Sequence, residues 1–179
     1  SVRAAQGEYE ELQKLLMAGD FECAIETLDR LLTKNPTSFE YYELKIGLLA
    51  QIGQMDKAKT IYQDMLQTFA DSEEDLNTLS WMAVTSPFEM CDLDLAWKAA
   101  QRAAKLSKRN NGAILDTLAR VYYAAGLLDQ AVKTQEEAVE KSAGDEEKES
   151  LRATLGFYTS AAALRDQIEK EDKENGTAP

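Results

Sequence analysis

The chain has no histidine, only two cysteines and only three prolines in 179 residues. Without histidine, the commonest general base and metal ligand near neutral pH is missing. Nucleophile–histidine pairs cannot form either. Cys23 and Cys91 make no disulfide framework, and their spacing fits no zinc motif. By residue type they read as small buried hydrophobes. No stretch approaches the 18 consecutive apolar residues of a transmembrane helix, so no membrane insertion is expected. No signal-peptide pattern is visible at the start. Cations are also scarce: 20 Lys and Arg stand against 32 Asp and Glu, for a net charge of −12. Such a chain is repelled by phosphate backbones, so nucleic acid is not an expected partner. The densest basic cluster is Lys105, Lys108 and Arg109. It ends a helix, where cations complement the negative end of the dipole.

Chemistry-bearing motifs are missing as well. There is no Gly-rich phosphate loop and no Gly-x-Ser-x-Gly elbow. Carboxylate pairs such as Glu10-Glu11, Glu73-Glu74 and Glu136-Glu137 are adjacent in sequence. Neighbours on a helix diverge by about 100°, so these pairs read as solvated faces rather than shared sites. No catalytic, cofactor-binding or metal-binding residue is expected.

What is present is helix-forming sequence. Ala, Leu, Glu, Lys and Arg supply 86 residues, nearly half the chain, the composition of a largely helical protein. The 44% apolar content is enough for a packed core. A self-comparison then finds a period. Ala18-Gly19-Asp20-Phe21-Glu22-Cys23-Ala24 aligns with Ile52-Gly53-Gln54-Met55-Asp56-Lys57-Ala58 at a shift of 34 residues. Ala125-Gly126-Leu127-Leu128-Asp129-Gln130-Ala131 follows the same pattern, and Cys91-Asp92-Leu93-Asp94-Leu95-Ala96 supplies a further unit. The small-residue anchors Ala24, Ala58, Ala96 and Ala131 stand 34, 38 and 35 residues apart.

Each unit reads as two amphipathic helices. The first helices fall at about Ala4–Met17, Phe39–Gln51, Ser72–Thr85 and Gly112–Ala124. The second fall at about Phe21–Lys34, Met55–Phe69, Leu93–Ser107 and Leu128–Ser142. Apolar residues recur at three- and four-residue steps, as in Leu115, Leu118, Ala119 and Tyr122. Gly19, Gly53 and Gly126 stand where a left-handed C-terminal turn ends the first helix. Asp20, Asp56, Asp92 and Asp129 stand where the second begins. Unit three carries about four extra residues around Thr85-Ser86-Pro87-Phe88-Glu89-Met90, and Ser86-Pro87 should break its helix.

These units resemble the tetratricopeptide repeat, a helix–turn–helix of 34 residues. The resemblance implies an all-α, right-handed α-solenoid of about four helix pairs plus a C-terminal capping helix. The repeat domain spans 5–143, with units at about 5–38, 39–71, 72–108 and 112–143. A capping helix follows over 146–170, with Leu151, Leu155 and Tyr158 on one stripe to cover the open end of the stack. A charged tail over 171–179 is expected to be disordered.

The resemblance also implies a partner surface, because first helices line the concave face in this family. The exposed positions there are Tyr9 and Gln13 in unit one, and Glu43, Leu44, Gly47 and Gln51 in unit two. Asn77 and Trp81 follow in unit three, and Asp116, Thr117, Arg120 and Tyr123 in unit four. Leu44, Trp81 and Tyr123 are candidate anchors, since exposed large apolar side chains in a groove are typical hot spots. Trp81 alternatively packs under the inserted loop with Phe88. Asp116 and Arg120, four apart, can form an intrahelical ion pair. Some relatives clamp C-terminal carboxylates with Lys and Asn. The corresponding faces here offer Tyr9, Glu43, Asn77 and Asp116, with no lysine, so an anion would be repelled.

The expected function is therefore a non-catalytic protein–protein interaction module that takes a peptide or partner domain, more basic or apolar than acidic. A second reading rests on Leu76–Tyr158, which resembles the repeat region following the thioredoxin-like domain of some bacterial redox proteins. That resemblance implies a helical appendage that positions or dimerises a catalytic domain. A homo-oligomer or an N-terminal thioredoxin-like domain would then be the partner. The Cys-x-x-Cys of a redox site is absent from this chain.

Overall fold

The computed structural model describes residues 2–87 and 91–175, with side chains from Gly7 onward. Among the described residues there are nine α-helices and no strand. They form two compact units, 1–70 and 71–179.

The first unit holds α1 (Val2–Ala18), α2 (Phe21–Lys34), α3 (Phe39–Gln51) and α4 (Met55–Thr68). Each helix packs against the next in sequence. Gly19 and Gly53 end α1 and α3 with φ of +71° and +77°, a conformation only glycine adopts without strain. Asp20 caps α2 by accepting from the Cys23 amide at 3.2 Å. Leu12, Ala24, Leu28, Leu31 and Leu48 form the core of this unit. Phe69 closes the far end against Phe39 and, edge-on, Tyr42, with ring centroids 5.2 and 5.9 Å away.

The second unit holds α5 (Glu73–Thr85), α6 (Leu93–Leu106), α7 (Gly112–Ala124), α8 (Leu128–Lys141) and α9 (Asp145–Glu174). Helix α5 packs on α6 and α7, α7 on α8, and α8 on α9. The inward face of α6 is almost all alanine: Ala96, Ala99, Ala100, Ala103 and Ala104 are buried. This lets neighbouring backbones approach closely. Ser80 donates a 2.8 Å hydrogen bond to the Ala96 carbonyl across that contact. Gly112 marks a second close approach, because a Cβ there would stand 2.9 Å from the Ala138 carbonyl oxygen. Asp92, Ser72 and Asn111 cap α6, α5 and α7.

The small anchors Ala24, Ala58, Ala96 and Ala131 all have no exposed surface. Several expectations need correction. Cys23 is exposed and Cys91 half-buried, so residue type misleads for Cys23. It stands in the first turn of α2, at the edge of the stripe of Ala24, Thr27, Leu28 and Leu31. Of the four aspartates at the second-helix starts, Asp20 and Asp92 cap, while Asp56 and Asp129 stand in the first turn facing the positive dipole end. Helix α9 does not stop at Lys170. It continues to Glu174, supported by Gln167 donating to Glu171 and by a Lys170–Glu174 pair at 3.8 Å. Helix α5 ends before Ser86-Pro87, while Phe88, Glu89 and Met90 lie outside the described residues, as do the last four residues of the expected tail.

Candidate peptide-binding cleft

Helices α5, α7 and α9 line an open surface cleft of about 330 Å³. Asn77 and Trp81 stand one turn apart on α5, so both face it. Asp116 reaches it from α7, and Glu147, Ser150 and Leu151 from α9. The α7 wall is fixed by buried polar contacts. Gln135 of α8, fully buried, donates through Nε2 to the Asp116 carboxylate at 2.7 Å and to the Leu151 carbonyl at 3.2 Å. One amide thus ties α7, α8 and α9 together. Glu147 accepts from the Ser142 hydroxyl at the start of α9.

The cleft is rich in acceptors. Thr78 and Thr117 line it, but their hydroxyls already donate to the Glu74 and Ala113 carbonyls. Asp116 and Glu147 add carboxylates. Trp81 is 40% exposed, with the Arg120 guanidinium 4.7 Å from its ring centroid. That contact is a cation–π interaction. Arg120 therefore holds Trp81 in place and does not pair with Asp116, whose carboxylate is engaged by Gln135. The i,i+4 reading of these two residues is overturned because each has a partner on another helix.

The remaining sequence-derived positions are spread out. Tyr9 is 42% exposed on α1, where Gln13 is also exposed. Glu43, Gly47 and Gln51 are exposed on α3. Leu44 is half-buried against the core of the first unit. Thr117 is buried, its hydroxyl bonded within α7. Tyr123 is half-buried, stacked on Tyr158 at 4.8 Å and tilted against Phe157 at 5.3 Å. Burial pushes the Tyr158 phenol above its ordinary pKa. Glu147, Ser150, Leu151 and Gln135 are not legible as site residues, because the sequence marks α9 only as a cover for the stack.

Beside this geometry stands the α3–α4 pair, two antiparallel neighbours joined through Gly53 with Ala58 buried in the second helix. Residues 41–72, which cover most of that pair, match the tetratricopeptide repeat. The fold is a tetratricopeptide-repeat fold. Solved structures carry the same architecture over nearly the whole chain. One, a MamA protein, is 21% identical with a TM-score of 0.60, covering 97% of this chain and 90% of that one. MamA 41-end from Desulfovibrio magneticus RS-1 is 17% identical with a TM-score of 0.59, over 97% and 91% of the two chains. TTC0263, a thermophilic tetratricopeptide-repeat protein of Thermus thermophilus, is 18% identical with a TM-score of 0.51, over 98% and 92%. No curated protein matches the sequence significantly. Among the described residues no cluster of His, Cys, Asp or Glu could hold a metal ion. No described helix is long and apolar enough to cross a membrane.

Proposed function

We propose that this tetratricopeptide-repeat chain is a non-catalytic interaction module whose α5–α7–α9 cleft receives a basic side chain of a partner protein or peptide. The observation that carries the reading is the lining itself. An exposed tryptophan stands beside the carboxylates of Asp116 and Glu147, with the neighbouring threonine hydroxyl protons already donated inward. Two carboxylates in one lining favour a cationic donor, namely a guanidinium or an ammonium, while the Asn77 amide, the Ser150 hydroxyl and the Trp81 indole stand beside them as donors. The aliphatic stem of that group would lie along Trp81 and Leu151. A partner carboxylate would meet two carboxylates instead, which disfavours it. Within the first unit, Tyr9 and Gln13 on α1 and Glu43 and Gln51 on α3 are the candidate partner positions.

Trp81 and Trp97 are the two tryptophans, so W97F leaves Trp81 as the single reporter. Titration with an Arg-containing peptide should change Trp81 emission, and D116N with E147Q should weaken binding by about tenfold or more. Binding that leaves Trp81 emission unchanged, or that is insensitive to both carboxylates, would overturn the reading.

A further inference from the structure

The outward face of α6 carries charge of the opposite sign to the rest of the chain. Helix α6 carries Lys98, Arg102 and Lys105 against one acid, Asp94, and Lys108 and Arg109 follow directly after it. The other second helices give an internal comparison, since α2, α4 and α8 hold the same place in their units. Helix α2 carries Glu22, Glu26, Asp29, Arg30 and Lys34, and α8 carries four acids against two lysines. Helix α4 balances two acids with two lysines. The repeat therefore folds without a basic outer helix. Complementing the helix dipole accounts for Lys105 in the last turn of α6, but not for Lys98 two turns earlier.

Trp97 and Leu106, nine residues apart, flank this charged face on its two opposite edges. Trp97 is 45% exposed and Leu106 38%, while the alanine side of the helix is buried. A surface concavity runs along Trp97, Gln101, Arg102, Lys105 and Lys108. Some of its cations are spoken for. Lys98 pairs with Asp94 at 2.5 Å, Arg102 with Asp71 at 3.2 Å, and Arg109 grips Glu137 through two nitrogens. Lys105 and Lys108 have no ion-pair partner among the described residues. Lys108 and Arg109 also occupy left-handed backbone, with φ of 53° and 55°. At the three turns inside helix pairs, glycine takes that conformation. Two cationic side chains are kept here where glycine would fit more easily.

We infer that the outer face of α6 is a second docking surface, one that takes an acidic, apolar-anchored segment of a partner protein, with Trp97 and Leu106 as the apolar contacts and Lys105 and Lys108 as the unpaired cations. Charge complementarity selects the occupant. A basic segment would be repelled. A nucleic acid would bring its phosphates onto a chain of net charge −12. This surface is separate from the α5–α7–α9 cleft, which selects the opposite charge.

The test uses the full chain and two fluorescein-labelled probes. One is a helical peptide built from repeated Glu and Leu, the other a 20-nucleotide single-stranded DNA, both read by fluorescence anisotropy. The acidic peptide is expected to bind, and to bind at least tenfold more weakly to W97A and to the K105E/K108E double variant. W81A should leave its affinity unchanged, and circular dichroism checks that each variant folds. Absence of peptide binding, binding unaffected by either α6 variant, or tighter binding of the DNA than of the peptide would overturn the inference. A loss of the acidic peptide in K105E/K108E with Arg-peptide binding at Trp81 preserved separates this surface from the cleft.

Discussion

Tyr123 of α7 and Tyr158 of α9 stack face to face, with ring centroids 4.8 Å apart and planes 19° from parallel. The contact joins the last helix to the repeats, where Tyr158 also packs on Ala119 and Ala131 and is 2% exposed. Earlier on the same helix, Leu151 packs on Leu115 and Ala138. A chain ending at Ala143 loses both layers. It should melt well below the full chain and self-associate, since a buried Leu alone contributes about 1.5–3 kcal/mol. Tyr158→Ala should cost about 3 kcal/mol or more. The Tyr158 hydroxyl has no hydrogen-bond partner among the described residues, so Tyr158→Phe should match or exceed wild type. Thermal melts of the three chains check the order.

Ala58 is fully buried on α4. Ala58→Leu should overpack that contact and lower stability by about 1–3 kcal/mol. A denaturant titration with unchanged midpoint would count against Ala58 as a packing anchor.

Two glycines should respond differently to the same substitution. A Cβ on Gly112 would meet backbone atoms of Ala138 and Ser142 at 2.9–3.2 Å. Backbone cannot step aside, so Gly112→Ala should cost about 1–3 kcal/mol. Gly126 has open space around it but φ of +75°. Gly126→Ala should cost only the backbone strain, about 1 kcal/mol. Urea midpoints compare the pair, and a larger loss at Gly126 would contradict the close approach of α7 and α8.

Arg109 holds the Glu137 carboxyl below its ordinary value of 4.5, chiefly by hydrogen bonding to the charged form. A carboxyl whose folded pKa is depressed adds stability above its unfolded pKa and loses it as pH falls through the folded one. The Arg109–Glu137 contribution should therefore be complete above about pH 5 and fade below pH 4.5. Melting temperatures of wild type and Glu137→Gln should differ at pH 7 and converge toward pH 3. A gap that widens on acidification would contradict the pairing.

The helices are legible in the sequence because several, α2, α6 and α8 above all, carry a clear 3.6-residue stripe, and many are bounded by Gly turns or Asp caps. The bounds of α2, α3 and α7 coincide with those read from periodicity. Periodicity says which face of a helix is apolar, but not what a distant segment lays over the opposite face. Tyr123 and Leu44 both read from spacing as groove anchors. The first is met by Tyr158, 35 residues later in the chain, and the second sinks against the Leu12–Leu28 core. Spacing pairs Arg120 with Asp116, yet the Trp81 ring on α5 holds it. Gln135 is invisible as a polar knot because nothing local marks an amide as buried. Gly112 looks like a helix-starting residue, and only the approach of the Ala138 carbonyl shows why a side chain is excluded.

The cleft is the centre of this account, and backbone amide mapping by two-dimensional NMR tests it most directly. On titration with an Arg-containing peptide, the largest shifts should gather at Asn77, Trp81, Asp116, Glu147 and Ser150, and the Trp81 indole resonance should move more than that of Trp97. Shifts confined to α6, or spread over α2 and α4 with Trp81 and Asp116 unmoved, would contradict it.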